Sequence, residues 1–259
     1  TTTSEVPNTS ATAASSGSDI NGMAAYDAAM KIKKRMSKVA SDYFEVPIKE
    51  VVFEDELIKC NNKTITFSEL AQLTWSKRVS LSATGFYKTP KIHWDQSLMK
   101  GKPFFYYTWG ASISEVVIDT FTGESNVLKS DIVQDCGISM NPKIDIGQIE
   151  GAFIQGLGWL TCEELFWNNN GKLMTIGPST YKIPGSRDMP NSLNVKLLDN
   201  SPNVEKTIFR SKAVGEPPLM LAISVWLAIR NAVSNYRKDS VLNLNAPATP
   251  EEILKAINS

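Results

Sequence analysis

The feature that most constrains this chain is residues 211–218, where one glutamate stands between a glycine and two prolines. Glycine lets the backbone approach other groups closely. Proline fixes its own φ and biases the preceding residue, here Glu216, away from the helical region. Because an apolar run follows at residues 219–233, the pattern predicts a helix that begins at Pro217 or Pro218. Glu216 is therefore predicted at a helix N-terminus, either as a favourable partner of the helix dipole or as a positioned general base.

Composition and charge narrow the classes of partner. The 259 residues are 42% hydrophobic, and 27 Lys plus Arg balance 27 Asp plus Glu, so neither nucleic acid nor an anionic membrane surface is the expected partner. Ser224 and Arg230 interrupt the longest apolar run, and no membrane span is expected. The chain begins with Thr1 and shows no signal-peptide pattern, so we expect a piece of a longer protein or a processed subunit.

Metal-binding side chains are too few for a site built from protein ligands. The three cysteines, Cys60, Cys136 and Cys162, lie far apart and offer no spacing for zinc or an iron–sulfur cluster. Their small, odd number suits a reducing compartment such as the cytoplasm. His93 is the only histidine, which leaves almost no material for a triad or a multi-histidine metal site, and we expect it to be structural.

Two segments have the features of a ligand-binding helix. Residues 15–19 collect capping residues before a helix predicted over residues 20–36; such a start can bind an anion or a polar cofactor edge, with ordinary N-capping as the alternative. Residues 144–159 contain four glycines that allow close approach but match neither a Walker loop nor the dinucleotide fingerprint. Gln155, beside Gly156, is the polar side chain there with the freest approach to a ligand.

The strand pattern indicates an α+β fold. Residues 79–83, 113–118 and 125–133 are predicted as strands, and the last two form an antiparallel pair joined by a turn. Residues 37–78 are predicted to be peripheral, with a short helix that opens at Ser68 or the residue before it. We expect mixed or antiparallel sheets with long helices packed across them.

Four separate segments, residues 6–17, 80–87, 147–158 and 211–218, resemble one known family. They are similar to the C-terminal part of the molybdenum-binding subunit in the xanthine dehydrogenase/aldehyde oxidase family, and residues 208–220 resemble xanthine dehydrogenases, especially bacterial ones. The resemblance implies the molybdopterin-binding domain fold. Residues 1–78 would form a first region with a cofactor loop, a helix and a variable insertion. Residues 79–259 would form a second region with the glycine-containing helix and Glu216.

The resemblance implies a molybdenum hydroxylase that oxidises hypoxanthine and xanthine to urate. In that chemistry Glu216 is the general base that activates Mo–OH for attack on the purine carbon, with hydride transfer to Mo=S. Electrons then leave through 2Fe-2S clusters to FAD and to NAD or oxygen. The pterin sulfurs hold the metal, which would account for the lack of a ligand cluster in the chain.

The resemblance also implies which residues meet the cofactor. Ala14 would bring its backbone near the molybdenum ligands, with Ala13 beside it at the substrate. Donors to the pterin would come from a short run, Ser15, Ser16, Gly17 and Ser18. Gln155 would also approach the cofactor.

The groups that grip the purine would lie outside this chain. The implied partners are therefore the rest of the molybdenum subunit and an iron–sulfur/FAD subunit, in a cytoplasmic enzyme that is dimeric when complete. Two alternatives remain. One is hydroxylation of aldehydes or N-heterocycles, as in aldehyde oxidases. The other is a non-catalytic cofactor-binding or assembly module in which the glycine-containing helix and the capped loop serve packing only.

Overall fold

The structure, a computed structural model, describes residues 13–238 and 243–258. The part of the resembling segment at residues 6–12 lies outside these ranges. The described residues fold as two compact units: a smaller one, Ser16–Phe105, and a larger one that joins residues 13–15 to the described residues from Tyr106 onward. The units separate after Phe105, whereas the sequence analysis expected cofactor-binding regions that separate after residue 78; that division stays a prediction.

The smaller unit contains a three-stranded antiparallel sheet and two helices. Its elements are α1 (Gly17–Phe44), β1 (Val51–Glu54), β2 (Leu57–Cys60), β3 (Lys63–Thr66), α2 (Phe67–Ser76), β4 (His93–Asp95) and β5 (Lys100–Lys102). The sheet has the order β1-β2-β3, and β4 and β5 form a separate antiparallel pair. The core comprises Met36, Val39, Ala40, Phe44, Ile58, Cys60 and Leu70. His93, in β4, is exposed.

A capping box starts α2. The N–H of Glu69 donates to Thr66 Oγ1 (3.1 Å), and Glu69 Oε2 accepts from the N–H of Thr66 (2.9 Å). Two backbone donors that the helix leaves unpaired are thereby satisfied. The predicted helix is confirmed, and it begins at Phe67, the residue before Ser68.

The strand predicted at residues 79–83 was wrong, because α1 side chains bind this backbone where a neighbouring strand would. Nη1 of Arg35 donates to the carbonyl oxygens of Ser80 and Ser82, both at 2.8 Å. Lys31 Nζ donates to the carbonyl of Thr84 (3.0 Å) further along the segment. The segment therefore follows α1 in an extended form without joining a sheet.

The larger unit is built on a mixed sheet. Its elements are β6 (Gly110–Ile118), β7 (Ser125–Gln134), α3 (Pro142–Thr161), β8 (Ser192–Leu197), α4 (Ile223–Arg237) and α5 (Pro250–Asn258). The strand β7 pairs antiparallel with β6 and parallel with β8, with Ser114 opposite Ser130 and Lys129 opposite Ser192. The predicted antiparallel pair is confirmed.

Helices α3, α4 and α5 pack with this sheet in one core. On α4 the buried residues Val225, Ile229 and Val233 recur every four positions, as on the buried face of a helix. On α3 they include Ile149 and Phe153, both fully buried. Long helices packed on a mixed sheet confirm the expected α+β class.

Among the described residues, one helical stretch, Pro217–Arg237, is long and apolar enough to cross a membrane by length and composition alone. The sequence analysis expected that Ser224 and Arg230 leave no apolar run long enough to span a membrane. By that criterion, the expectation was wrong. A core helix meets the same criterion, and α4 contributes Val225 and Val233 to the core of the larger unit.

Candidate active site

Glu216 immediately precedes a 3₁₀ helix, Pro217–Ala222, which continues into α4. The predicted helix start at Pro217 is confirmed, with 3₁₀ geometry over its first six residues. The expectation that Pro217 keeps Glu216 out of the helical region was wrong, since φ is −104° and ψ is −39°. Two hydrogen bonds hold this conformation. The carbonyl of Glu216 accepts from Leu219 (3.1 Å), and its N–H donates to Ser15 Oγ (2.9 Å).

The side chain of Glu216 is exposed and caps no N–H group of the helix that follows. A carboxylate engaged in capping would have its oxygens occupied by backbone donors. Since Glu216 makes no such bond, its oxygens can accept a proton from a ligand, as the general-base interpretation requires.

Ser15 brings the N-terminal loop to the glutamate, 201 positions away in the sequence. It follows Ala14, and both residues have positive φ, 53° and 54°. Two consecutive non-glycine residues in the left-handed region are unusual, and each costs on the order of 1 kcal/mol. Such outliers are frequent in ligand-binding loops, which makes this one a candidate for function. Ala13 and Ala14 are exposed.

Gln148 on α3 completes a polar cluster around Gly215. A Cβ built on Gly215 would lie 3.1 Å from Ser15 Oγ and 3.3 Å from Gln148 Oε1. Two oxygen atoms therefore lie close to Gly215, which has no side chain and so leaves room for them. Sequence analysis missed Gln148, although it stands beside Gly147 on a helix already predicted to approach a ligand.

Gln155 lies two turns further along the same face of α3, about 10 Å from Gln148 along the helix axis. It is exposed, and within the described part of the chain no hydrogen bond joins it to Ser15 or Glu216. Gly151, between the two glutamines, and Gly147, just before the first, both have no atom within 4 Å of a built Cβ. This face of the helix is thus open along two turns. The role of Gln155 stays a prediction.

Gly156 is buried in the helix packing and serves close contact. Its built Cβ would be 2.3 Å from the carbonyl oxygen of Leu219 in the 3₁₀ helix. Only a residue without a Cβ permits this approach. Gly156 therefore lets α3 support the segment that carries Glu216.

Ser16, Gly17 and Ser18 form the start of α1 and belong to the smaller unit. Ser16 occupies the N-cap position without a capping bond from its side chain, and its carbonyl accepts from the N–H of Ile20 (2.9 Å). The helix predicted over residues 20–36 is confirmed and extends to Phe44. The assignment of these three residues to the pterin stays a prediction.

Within the described ranges, no three His, Cys, Asp or Glu side chains come together as metal ligands. Burial raises the pKa of the thiols of Cys60, Cys136 and Cys162, which disfavours the thiolate form that binds metals. The candidate site instead offers the neutral polar groups of Ser15 and Gln148 around the Gly215–Glu216 backbone.

Known structures share this fold. Quinoline 2-oxidoreductase from Pseudomonas putida matches 95% of the chain with a TM-score of 0.81 and 24% identity, using 30% of its own length. Aldehyde oxidoreductase from Desulfovibrio gigas matches 75% of the chain with a TM-score of 0.60 and 26% identity, using 20% of its length.

Sequence relatives are closer. The chain is 46% identical to a xanthine dehydrogenase of Dictyostelium discoideum over 98% of its length, and 45% identical to a xanthine dehydrogenase/oxidase of Felis catus over 99%. It spans 18% of the length of each of these relatives. The family model described as molybdopterin cofactor-binding domain matches residues 1–190. The chain therefore matches one part of xanthine dehydrogenases and belongs to the molybdopterin cofactor-binding domain family.

Proposed function

We propose that this chain carries the base of a molybdenum hydroxylase that oxidises hypoxanthine and xanthine to urate. The observation that carries the proposal is the exposed, uncapped side chain of Glu216, whose backbone N–H binds Ser15 and whose neighbour Gly215 lies against Gln148. Identities of about 45% to proteins named xanthine dehydrogenase support the purine as substrate.

The cluster around Gly215 fits the polar edge of a molybdopterin. The group presents oxygen and nitrogen atoms that both donate and accept hydrogen bonds, and the serine hydroxyl and the glutamine amide can do the same. The face of α3 beside Gln148 is open at Gly147 and Gly151, which leaves room for a bulky, flat group. Ser15 and Gln148 would hold this edge, with the Ala14 backbone next to the metal. When bound, the cofactor supplies a centre that accepts two electrons and provides the oxygen for hydroxylation.

The task of Glu216 is to accept a proton. An oxygen that attacks an electron-poor carbon must lose its proton as the new bond forms, and a carboxylate oxygen within hydrogen-bond reach takes it. The Ser15 hydroxyl fixes the backbone of Glu216 on one side, and Pro217 limits rotation of the chain on the other. The base is thereby oriented before substrate arrives.

The rest of the longer protein would supply what this chain lacks. We propose that it contributes the purine-gripping residues, the 2Fe-2S clusters, the FAD site and the use of NAD, in a dimeric cytoplasmic enzyme. The chain's 18% share of its relatives leaves ample length for these parts.

Aldehydes and N-heterocycles are the second candidate substrates, because the solved structures with this fold include an aldehyde oxidoreductase and a quinoline 2-oxidoreductase. Turnover of xanthine, benzaldehyde and quinoline by the full-length protein separates the two classes. Purine hydroxylation requires xanthine to be the preferred substrate by kcat/KM.

Glu216→Gln in the full-length, molybdenum-loaded protein tests the base. Removing a general base costs on the order of 10²-fold or more, so kcat should fall by at least this factor while molybdenum content is unchanged. The matched control is Glu115→Gln on the exposed face of β6. Turnover of Glu216→Gln within about tenfold of the unmodified protein refutes the assignment. If the unmodified, fully loaded protein is inactive on all three substrates, the non-catalytic module is favoured.

A further inference from the structure

A buried ion pair lies at the root of the segment that carries Glu216. Nζ of Lys212, four residues before Glu216, is 2.5 Å from Oδ2 of Asp135. The two side chains are 10% and 1% exposed, whereas the pairs Lys31–Asp27 and Lys129–Asp131 have both partners well exposed. Asp135 directly follows β7, so the pair joins the base segment to the end of the central strand.

The carboxylate of Asp135 is fixed at both oxygens. While Oδ2 meets Lys212, Oδ1 accepts hydrogen bonds from the N–H of Gly137 (2.9 Å) and from the hydroxyl of Ser201 (3.0 Å). A carboxylate held by three donors cannot turn about its axis, so the ammonium group of Lys212 has a single fixed partner.

The backbone around Lys212 is held as well. Its N–H donates to the carbonyl of Cys136 (2.8 Å), and the next N–H, of Ala213, donates to the hydroxyl of Tyr106 (2.9 Å). With the bond from Glu216 to Ser15, three backbone donors within five residues are paired with groups outside the segment. The ion pair and these bonds together fix the segment against the residues that follow β7.

Stability alone does not require an ion pair at this place. Two charges taken out of water gain little net energy over well-packed apolar side chains of similar size, whereas their directional contact fixes one arrangement. We propose that Lys212 and Asp135 are positioning residues that set the direction of the Glu216 carboxylate. This inference rests on the proposed role of Glu216 as base.

Four variants of the full-length, molybdenum-loaded protein test it: Lys212→Met, Lys212→Arg, the double variant Asp135→Asn with Lys212→Met, and Lys129→Met. The last breaks a Lys–Asp pair of 2.7 Å on β7 whose partners are both 48% exposed, and it is the matched control. The measurements are kcat per bound molybdenum, KM for xanthine, and the rate of hydrogen exchange of the amides of residues 213–216.

For Lys212→Met we expect kcat to fall about 10- to 100-fold with KM within about threefold, because displacement of a catalytic group slows the reaction while the substrate still binds. Amide exchange at residues 213–216 should become at least tenfold faster. Lys212→Arg, which keeps the charge, should recover part of kcat. Lys129→Met should change neither quantity.

The double variant covers the case in which a lone buried charge prevents folding. It removes both charges, and we expect it to fold and bind molybdenum while kcat stays as low as in Lys212→Met. Normal kcat and normal exchange in a folded Lys212→Met or double variant overturn the positioning role. If Glu216→Gln keeps its turnover, the proposed function itself falls, and the positioning role falls with it. If Glu216→Gln is inactive and Lys212→Met is unaffected, only the present inference is wrong.

Discussion

Alanine at Gly156 tests whether close packing between α3 and the 3₁₀ helix sets the place of the base. The added Cβ would lie 2.3 Å from the carbonyl oxygen of Leu219 and 2.9 Å from Cβ of Ala222. Neither atom can rotate away, since one is backbone and the other is attached directly to it. Ordinary van der Waals contact begins at 3.4 Å, so the helices must separate by about 1 Å.

Two energies oppose one another in this variant. Overpacking costs about 1–3 kcal/mol, and replacing glycine by alanine inside a helix returns up to about 1 kcal/mol. The free energy of unfolding should therefore fall by up to about 3 kcal/mol. The effect on turnover should be larger, because Leu219 is three residues from Glu216 and a shift of about 1 Å can cost about 10²-fold in rate.

The assay uses the full-length, molybdenum-loaded protein, with thermal unfolding followed in parallel with xanthine turnover. Gly177→Ala is the control, since no atom lies within 4 Å of its built Cβ. An unchanged kcat per bound molybdenum in Gly156→Ala, together with an unchanged unfolding temperature, would show that this packing does not place the base.

Two further predictions follow from local contacts. Gly215→Ala crowds Ser15 Oγ at 3.1 Å and Gln148 Oε1 at 3.3 Å, so molybdenum content after reconstitution should fall several-fold while thermal unfolding is unchanged; full loading would contradict the role of this cluster. Thr66→Ala removes the capping box of α2 and should cost about 1 kcal/mol in denaturant unfolding. A loss no larger than that of Thr64→Ala, an exposed neighbour in β3, would contradict the capping role.

The sequence predicted correctly the secondary-structure features that depend on residues close together in the chain. The helix start at Pro217, the start of α2 and the β6–β7 pair each depend on a few neighbouring residues, and all three are present. The strand expected at residues 79–83 was wrong because its backbone partners are side chains of α1, about 45 positions away. Apolar and polar alternation cannot distinguish such partners from a second strand.

In the candidate site, too, some residues could be identified from their neighbours in the sequence and others only from the folded structure. Glu216 stood out because glycine and proline surround it, and Ser15 because it lies in a loop before a helix. Gln148 was missed because both glutamines of α3 lie on one face, and only the tertiary placement of Gly215 distinguishes them. The pairing of Lys212 with Asp135 was equally invisible, since 77 positions separate the two residues.

The bond between Ser15 and Glu216 closes a loop of 201 residues, and this has a consequence for when the site comes into existence. The length-dependent entropy of closing such a loop is about 5 kcal/mol, whereas one hydrogen bond contributes only about 1 kcal/mol. The contact therefore cannot organise the chain; it appears after the larger unit has brought its distant segments together. A nascent chain that ends before residue 216 has no cluster around Gly215, so cofactor capture should report completed folding, and cofactor binding should in turn stabilise the finished protein.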